Sequence, residues 1–282
     1  MNTQESAGPP DDLLAVRDLR VSFAGKGWRA PDTEVLKGVD LTIRPGETLG
    51  LVGESGSGKS TIGRAVLGLA PVRSGSITFD GERIERADAR RRRALSRDLQ
   101  VIFQDPYTSL NPARTIGDTL AEPLIGQGTG VREARGRIGE LLDRVHLPTD
   151  AAGRLPREFS GGQRQRVAIA RALALRPRLV ICDEPVSALD LTTQRAVLDL
   201  LLEIQEETGV SYLFVSHDLS VVRFMSHRVA VIHRGEIVET GDAATVTSQP
   251  RHSYTRTLLL ASPVADVAEQ RRRRRAAERA GA

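Results

Sequence analysis

At positions 53 to 60 the chain reads Gly53-Glu54-Ser55-Gly56-Ser57-Gly58-Lys59-Ser60, which matches the phosphate-binding pattern G-x-x-x-x-G-K-[ST]. The apolar run Thr48 to Val52 precedes this stretch, and the helical pattern Thr61 to Leu69 follows it. Glycines allow backbone N–H groups to turn toward phosphate oxygens, and the start of a helix adds positive potential. The strand, loop and helix together predict a site for a nucleoside triphosphate.

Two side chains of this loop have separate expected roles. We expect Lys59 to reach the β and γ phosphates, and the Ser60 hydroxyl to ligate Mg²⁺. A turn rich in Gly and Ser is more often a flexible loop, but the flanking strand and helix favour the phosphate site here. The predicted nucleotide-binding residues of the segment are Gly53, Glu54, Ser55, Gly56, Ser57, Gly58, Lys59, Ser60 and Thr61.

Length and composition limit the classes of protein. With 282 residues, the chain can bury a large core as one domain or as one domain with a subdomain. The lone Cys182 excludes an intrachain disulfide and a multi-cysteine zinc site, and it favours a reducing compartment, most simply the cytoplasm. No run approaches about 18 consecutive apolar residues, and residues 1–12 lack an apolar signal core. We therefore expect a soluble chain that meets a membrane only through a partner.

The formal net charge is +4, and nearly all of the basic residues are arginine. The dense basic runs are Arg90 to Arg93 and Arg271 to Arg275, and either could meet phosphate or anionic lipid. Neither run is interleaved with the aromatic residues that stack on bases. Solvated surface and a disordered tail are therefore the favoured interpretations.

The remaining patterns predict a mixed α/β fold. Alternating apolar positions predict strands at 14–23, 35–43 and 76–79, and Asp80-Gly81 is a hairpin turn signal. A short strand is predicted at 101–103 and a terminal hairpin at 229–232 and 236–239 around Arg234-Gly235. Because antiparallel pieces flank the phosphate loop, an all-parallel sheet is not expected.

The middle of the chain predicts helices and buried strands. Residues 104–176 carry Pro, Gly and helical patterns such as 131–145, and we interpret them as a helical insertion. The apolar runs 179–182 and 212–215 are typical of strands in a parallel sheet, and the helical pattern 192–207 separates them.

Two carboxylates, Asp183 and Glu184, follow the apolar run Leu179 to Cys182 directly, which predicts a buried strand that ends in both acids. In an open α/β sheet this edge lies beside the phosphate loop. Adjacent strand residues point to opposite faces, so we expect Asp183 to hold Mg²⁺ and Glu184 to orient or deprotonate the attacking water. An Asp-Glu pair is usually only polar surface, but the phosphate loop favours the catalytic interpretation.

The stretch Ser160-Gly161-Gly162-Gln163 precedes the helical pattern 164–175 and is a second candidate anion-binding element. Alone, it could be an ordinary N-cap. With the phosphate loop and the carboxylates, the string from Phe159 to Arg166 resembles the signature motif of the ABC-type ATPases, although Phe159 stands where Leu is commonest. The resemblance implies an ABC-type nucleotide-binding domain: an α/β P-loop NTPase core with a mixed sheet, an antiparallel β subdomain and an inserted α-helical subdomain.

The resemblance covers most landmarks between residues 14 and 260. It implies that Gln104 is the Q-loop glutamine, which senses Mg²⁺ and the γ phosphate, that Asp190 belongs to the D-loop, and that His217 is the switch histidine. A lone His after a strand is more often a surface or core residue, but its distance from Asp183-Glu184 favours the switch. An aromatic residue that stacks on adenine is also implied. Phe23 fits best, Trp28 is a rival, and core packing is an equal alternative for Phe23.

The complete set of predicted site residues follows from both arguments. The catalytic residues are Glu184, His217 and Gln104. The nucleotide-binding residues beyond the phosphate loop are Phe23, Ser160, Gly161, Gly162, Gln163 and Asp190, and the Mg²⁺ ligands are Ser60, Gln104 and Asp183. The other histidines, His146, His227, His233 and His252, are expected to be structural.

The resemblance also implies partners. In this family the signature of one subunit closes over the phosphate loop of another, so a second ATPase subunit, identical or homologous, is expected. The strings 107–112 and 250–263 resemble the oligopeptide, dipeptide and nickel importers, and the second string could also be a helix docked on the domain. That branch implies ATP and Mg²⁺ as cofactors. It also implies two transmembrane permease subunits, which would hold this chain at the cytoplasmic face of the inner or plasma membrane. An extracytoplasmic solute-binding protein would act indirectly, and no nucleic acid is expected.

The expected function is therefore that of an ATP-binding and ATP-hydrolysing subunit of an ABC importer for peptides, or for a related small solute such as nickel. The alternative is a non-transport ABC-type ATPase clamp in a nucleic-acid or phosphonate-metabolism complex. The expected organisation is a disordered 1–12, an ABC ATPase domain at 13–248 with its helical subdomain at about 104–176, a peptide-importer-type extension at 249–268, and an Arg-rich disordered tail at 269–282.

Overall fold

The structure, a computed structural model, describes residues 12–25, 32–105 and 109–261. Trp28, Tyr107 and Thr108 lie outside these ranges, as do residues 1–11 and the predicted Arg-rich tail. The chain divides into two compact units, one formed by residues 1–86 and 214–282 and the other by residues 87–213.

The elements follow one another in chain order. The first part of unit one contains β1 (Leu14–Phe23), β2 (Thr33–Ile43), β3 (Thr48–Val52), α1 (Lys59–Val66), β4 (Val72–Phe79) and β5 (Glu82–Arg83). Unit two contains α2 (Ala89–Leu95), β6 (Leu99–Ile102), α3 (Ile116–Gly126), α4 (Val131–Gly136), α5 (Ile138–Arg144), two 3₁₀ turns (Thr149–Gly153 and Pro156–Glu158), α6 (Gly161–Leu173), β7 (Leu179–Asp183) and α7 (Leu191–Thr208). After β8 (Ser211–Ser216), in which the chain returns to unit one, come α8 (Leu219–Met225), β9 (Arg228–His233), β10 (Glu236–Asp242), α9 (Ala243–Ser248) and α10 (Ser253–Ala261).

The antiparallel sheet of unit one has the strand order β2-β1-β4-β5. Apolar residues that this sheet buries completely include Val16, Leu36 and Ile77. Asp80 and Gly81 join β4 to β5 with φ values of 52° and 77°. Positive φ at both positions is the requirement of a type I′ hairpin turn, so the predicted turn is confirmed.

A second set of strands in unit one is mixed. β3 pairs in parallel with β9, and β9 pairs with β10 in the antiparallel direction. All five residues of β3 are buried, as its uninterrupted apolar sequence predicts. This arrangement confirms the predicted mixed sheet, and it places the end of β3 directly before the phosphate loop.

In unit two, β6 and β7 form a parallel pair in which Leu99 lies opposite Leu179. The helix predicted at 131–145 is two helices, because α4 ends at Gly136 and α5 begins at Ile138, with Arg137 between them. The basic run Arg90 to Arg93 lies on α2, whose first turn is capped by the Asp88 side chain. None of the helices in the described ranges combines the length and the apolar character needed to cross a bilayer.

Candidate functional site

The phosphate loop connects the end of β3 at Val52 to the start of α1 at Lys59. Gly58, the N-cap residue, has φ 109°, and a Cβ atom at this position would lie 2.7 Å from Leu36 Cδ2. Only glycine combines this backbone conformation with this close approach. Within the described residues no side chain caps the start of α1, which suits a helix end that binds an anion.

Lys59 is the first residue of α1, and its side chain lies against the phosphate loop. Its Nζ atom donates hydrogen bonds to the carbonyl oxygens of Gly53 and Glu54, both at 2.8 Å, and the residue is only 5% exposed. The loop therefore holds a buried cation against its own backbone. Ser57 is also 5% exposed, and its hydroxyl has no hydrogen-bond partner among the described residues. A buried hydroxyl without a partner and a buried ammonium fit a ligand rich in anionic oxygens, such as a triphosphate.

The C-terminal helix α10 also contacts this loop, a feature that the sequence analysis missed. The Glu54 N–H donates to the Tyr254 hydroxyl oxygen at 3.0 Å. The Tyr254 ring stacks on His233, with 3.9 Å between the ring centroids. Burial raises the pKa of the Tyr254 phenol, so the hydroxyl stays protonated near neutral pH. The sequence placed Tyr254 in an importer-like string, but nothing in that string pointed to Glu54.

His217, the predicted switch residue, follows β8 and is exposed. The next residue, Asp218, caps α8 by accepting hydrogen bonds from the N–H groups of Ser220 and Val221. His227 has the predicted structural role, because its Nδ1 atom accepts from the Thr48 N–H at 3.0 Å, next to the start of β3.

Asp183 and Glu184 lie in unit two, and both are half-buried. The strand β7 ends at Asp183, and Glu184 has φ 50°. The expectation that both acids belong to the strand and alternate across it is therefore wrong. A left-handed turn, rather than strand alternation, sets the direction of Glu184. A non-glycine residue in this conformation costs about 1–3 kcal/mol, and such residues occur in turns and cluster at functional sites.

The signature segment forms the start of α6. The Ser160 hydroxyl accepts from the Gln163 N–H at 3.3 Å, and Gln163 Oε1 accepts from the Ser160 N–H at 2.9 Å, which is a complete capping box. The helix begins at Gly161, three residues before the predicted start. A Cβ atom at Gly162 would lie 2.3 Å from Thr193 Cγ2, so glycine is required where α6 meets the first turn of α7.

The other predicted residues of unit two are exposed. Gln104 follows β6 by two residues. Asp190 is the N-cap of α7, and it accepts hydrogen bonds from the Thr193 hydroxyl at 2.6 Å and the Thr193 N–H at 3.0 Å. These two hydrogen bonds, the hydroxyl bond first, lower the pKa of the Asp190 carboxyl. The structure therefore gives Asp190 a capping role.

Phe23, the candidate for adenine stacking, is 39% exposed at the end of β1, which does not fit the core-packing alternative. Cys182 is completely buried in β7, and burial raises the pKa of its thiol. In the described ranges, no three His, Cys, Asp or Glu side chains are grouped as a metal site.

Solved structures that are similar to this chain include the following two. CbiO1 from Clostridium perfringens, described as part of the ABC transporter complex cbiONQ, has a TM-score of 0.74 and 28% identity over 85% of this chain and 92% of that chain. The ATP-binding cassette MJ0796, in a dimeric post-hydrolysis state bound to ADP and Pi, has a TM-score of 0.73 and 31% identity over 82% of this chain and 98% of that chain.

Proteins of similar sequence are also ATP-binding proteins of transporters. A putative peptide import ATP-binding protein of Brucella abortus (strain 2308) is 52% identical over 90% of this chain and 75% of that protein. The glutathione import ATP-binding protein GsiA of Salmonella typhi is 51% identical over 96% of this chain but only 44% of GsiA, so the chain spans less than half the length of that relative. The pattern of the ABC transporter family matches residues 36–187. The predicted family and α/β fold class are thus confirmed, and the chain belongs to the ABC transporter family.

Proposed function

We propose that this chain is the ATP-binding and ATP-hydrolysing subunit of an ABC importer, and that it powers the uptake of peptides or of a related small solute such as nickel. The observation that carries the proposal is the buried Lys59 ammonium, held 2.8 Å from two carbonyl oxygens of the glycine-rich loop. The names of the relatives, which specify peptide and glutathione import, support the transport role.

Each predicted site residue has a proposed task. The Lys59 ammonium reaches the β and γ phosphates from its position against the loop carbonyls, and the N–H groups at the start of α1 bind phosphate oxygens. Glu184 orients and deprotonates the attacking water, and His217 donates or accepts a hydrogen bond near the γ phosphate. Phe23 stacks on adenine.

The predicted Mg²⁺ ligands are Ser60, Gln104 and Asp183. A hydroxyl, an amide oxygen and a carboxylate are all suitable donors for this ion. Bound Mg²⁺ would neutralise charge on the phosphates.

The proposal includes a second ATPase subunit, identical or homologous, whose residues 160–163 and Asp190 complete the nucleotide site. Two permease subunits hold the pair at the cytoplasmic face of the membrane, and an extracytoplasmic solute-binding protein delivers the cargo to them. Within the chain, we propose an ABC ATPase domain at 13–248 with a helical subdomain at about 104–176, followed by an importer-type extension at 249–268.

Affinity purification tests the proposal directly. Tagged Glu184→Gln chain is isolated from detergent-solubilised membranes with MgATP, and its partners are identified by mass spectrometry. The matched control is Lys59→Ala, which is expected to lose nucleotide and hence the nucleotide-dependent partners. We expect a permease pair with the first variant. Recovery of only soluble proteins or nucleic acid would contradict the transport role.

A further inference from the structure

In one peptide unit of the phosphate loop, the carbonyl oxygen and the N–H each form a hydrogen bond with a side chain. The peptide between Gly53 and Glu54 accepts a hydrogen bond from Lys59 Nζ at its carbonyl oxygen, at 2.8 Å. The same peptide donates from its N–H to the Tyr254 hydroxyl, at 3.0 Å. Because a peptide unit is a rigid plane, the orientation of the N–H fixes the orientation of the carbonyl. Tyr254 thereby orients the Gly53 carbonyl oxygen, which accepts a hydrogen bond from the Lys59 ammonium.

Tyr254 is itself fixed by its surroundings. Its ring stacks on His233 with an interplanar angle of 18°. The Glu239 carboxylate accepts from the backbone N–H groups of Arg251 at 2.8 Å and His252 at 3.1 Å, immediately before α10 begins. The Tyr254 N–H donates to His252 Nδ1 at 3.2 Å. The start of the C-terminal helix is therefore hydrogen-bonded to the β9–β10 hairpin, which also carries the His233 ring that stacks on Tyr254.

We propose that Tyr254 is a positioning residue for Lys59, so that the C-terminal segment sets the affinity of the phosphate loop for nucleotide. This inference rests on the proposed function, because it assumes that the loop binds ATP. The hydroxyl keeps the Gly53–Glu54 peptide in one orientation and holds Lys59 at the mouth of the phosphate site. Without the hydroxyl, the exposed Glu54 N–H turns to water, the peptide plane rotates more freely, and the loop must be reordered when nucleotide binds.

The Tyr254→Phe variant isolates the hydroxyl, because phenylalanine keeps the ring that stacks on His233. Its dissociation constant for ADP, measured on the full chain with a fluorescent ADP analogue, should rise by up to about fivefold, because the cost of reordering the loop is limited by the contribution of one neutral hydrogen bond. The matched control is Tyr212→Phe. This change removes a tyrosine hydroxyl that donates to the Leu201 carbonyl oxygen at 3.0 Å, in the other unit, and it should leave the ADP affinity unchanged.

A double-mutant cycle distinguishes positioning from a general loss of structure. If Tyr254 acts through Lys59, Tyr254→Phe should have no further effect on ADP affinity in the Lys59→Ala background. A fivefold loss in that background would overturn the inference, as would equal affinity of the wild type and Tyr254→Phe. Failure of the wild-type chain to bind ADP would instead overturn the proposed function.

A second variant acts on Glu239, which holds the start of the helix that carries Tyr254. Glu239→Gln keeps the side-chain shape but weakens the two hydrogen bonds that hold the start of α10, so the ADP dissociation constant should rise about twofold to threefold. In combination with Tyr254→Phe, the effects should be less than additive, because both variants loosen the same contact. Fully additive effects would contradict a shared route through Tyr254.

Discussion

The Ser187 N–H and hydroxyl both donate to the Glu184 carbonyl oxygen, at 3.3 and 3.1 Å, and so hold the backbone of Glu184, whose φ is 50°. The turn that these bonds close begins directly after β7, so the carboxylate leaves the strand at an angle that an extended residue would not have. A half-buried acid whose backbone carbonyl accepts two hydrogen bonds fits the task of orienting one water molecule.

We expect Glu184→Gln to keep nucleotide affinity and to lose at least about 100-fold in ATP turnover, because glutamine cannot accept the proton of the attacking water. The variant should also form a dimer with MgATP that size-exclusion chromatography detects. Glu207→Gln, which changes an exposed acid on α7, is the matched control. Turnover near the wild-type rate would remove Glu184 from the catalytic role.

Ser187→Ala tests the turn rather than the carboxylate. The variant loses the hydroxyl bond to Glu184 but keeps the backbone bond, so Glu184 should be held less firmly. We expect ATP turnover to fall about fivefold with little change in nucleotide affinity, because the lost hydrogen bond acts on the position of the catalytic group. A rise in the KM for ATP with unchanged kcat would contradict this account.

The sequence predicted best the elements with long, regular patterns. The observed bounds of β1 and β3 agree with the prediction. Alternating apolar residues mark both ends of β1, and an unbroken apolar run marks both ends of β3. Short helices such as α2 and α9 have one or two turns, which is too few for a periodic pattern. The break at Arg137 follows Gly136, but an isolated glycine is tolerated inside a helical pattern and so did not by itself predict a helix end.

The residues of the candidate site also differ in how well the sequence predicted them. The loop and the two acids could be found from spacing, because each is a contiguous motif with one chemical purpose. The contact of Glu54 with Tyr254 joins residues 200 positions apart, and no local pattern reports such a pair. The left-handed φ of Glu184 was missed because a run of apolar residues followed by acids predicts strand without showing where extended backbone ends.

Lys59→Ala should raise the dissociation constant for ATP about 100-fold, since hydrogen bonds from a buried charged group to phosphate are among the strongest polar contacts. Isothermal titration with a non-hydrolysable ATP analogue measures the change. Lys37→Ala, which removes an exposed lysine from β2, controls for the loss of one positive charge and should bind as the wild type does. Equal affinities of Lys59→Ala and the wild type would refute the role of Lys59.

Glu239 should make the stability of the fold depend on pH. Burial raises the pKa of its carboxyl group, but the hydrogen bonds from the N–H groups of Arg251 and His252 lower it more, so the folded pKa lies below the unfolded value. Such a group stabilises the fold above its unfolded pKa of about 4.3, and the contribution is lost as the pH falls through the folded pKa. Glu239→Gln should therefore melt below the wild type at about pH 7, and the difference should shrink below about pH 4.5. Thermal unfolding across this range tests the prediction, with the exposed Glu236→Gln on the same strand as the control. A difference in melting temperature that stays constant with pH would show that Glu239 stabilises the fold through packing and not through its charge.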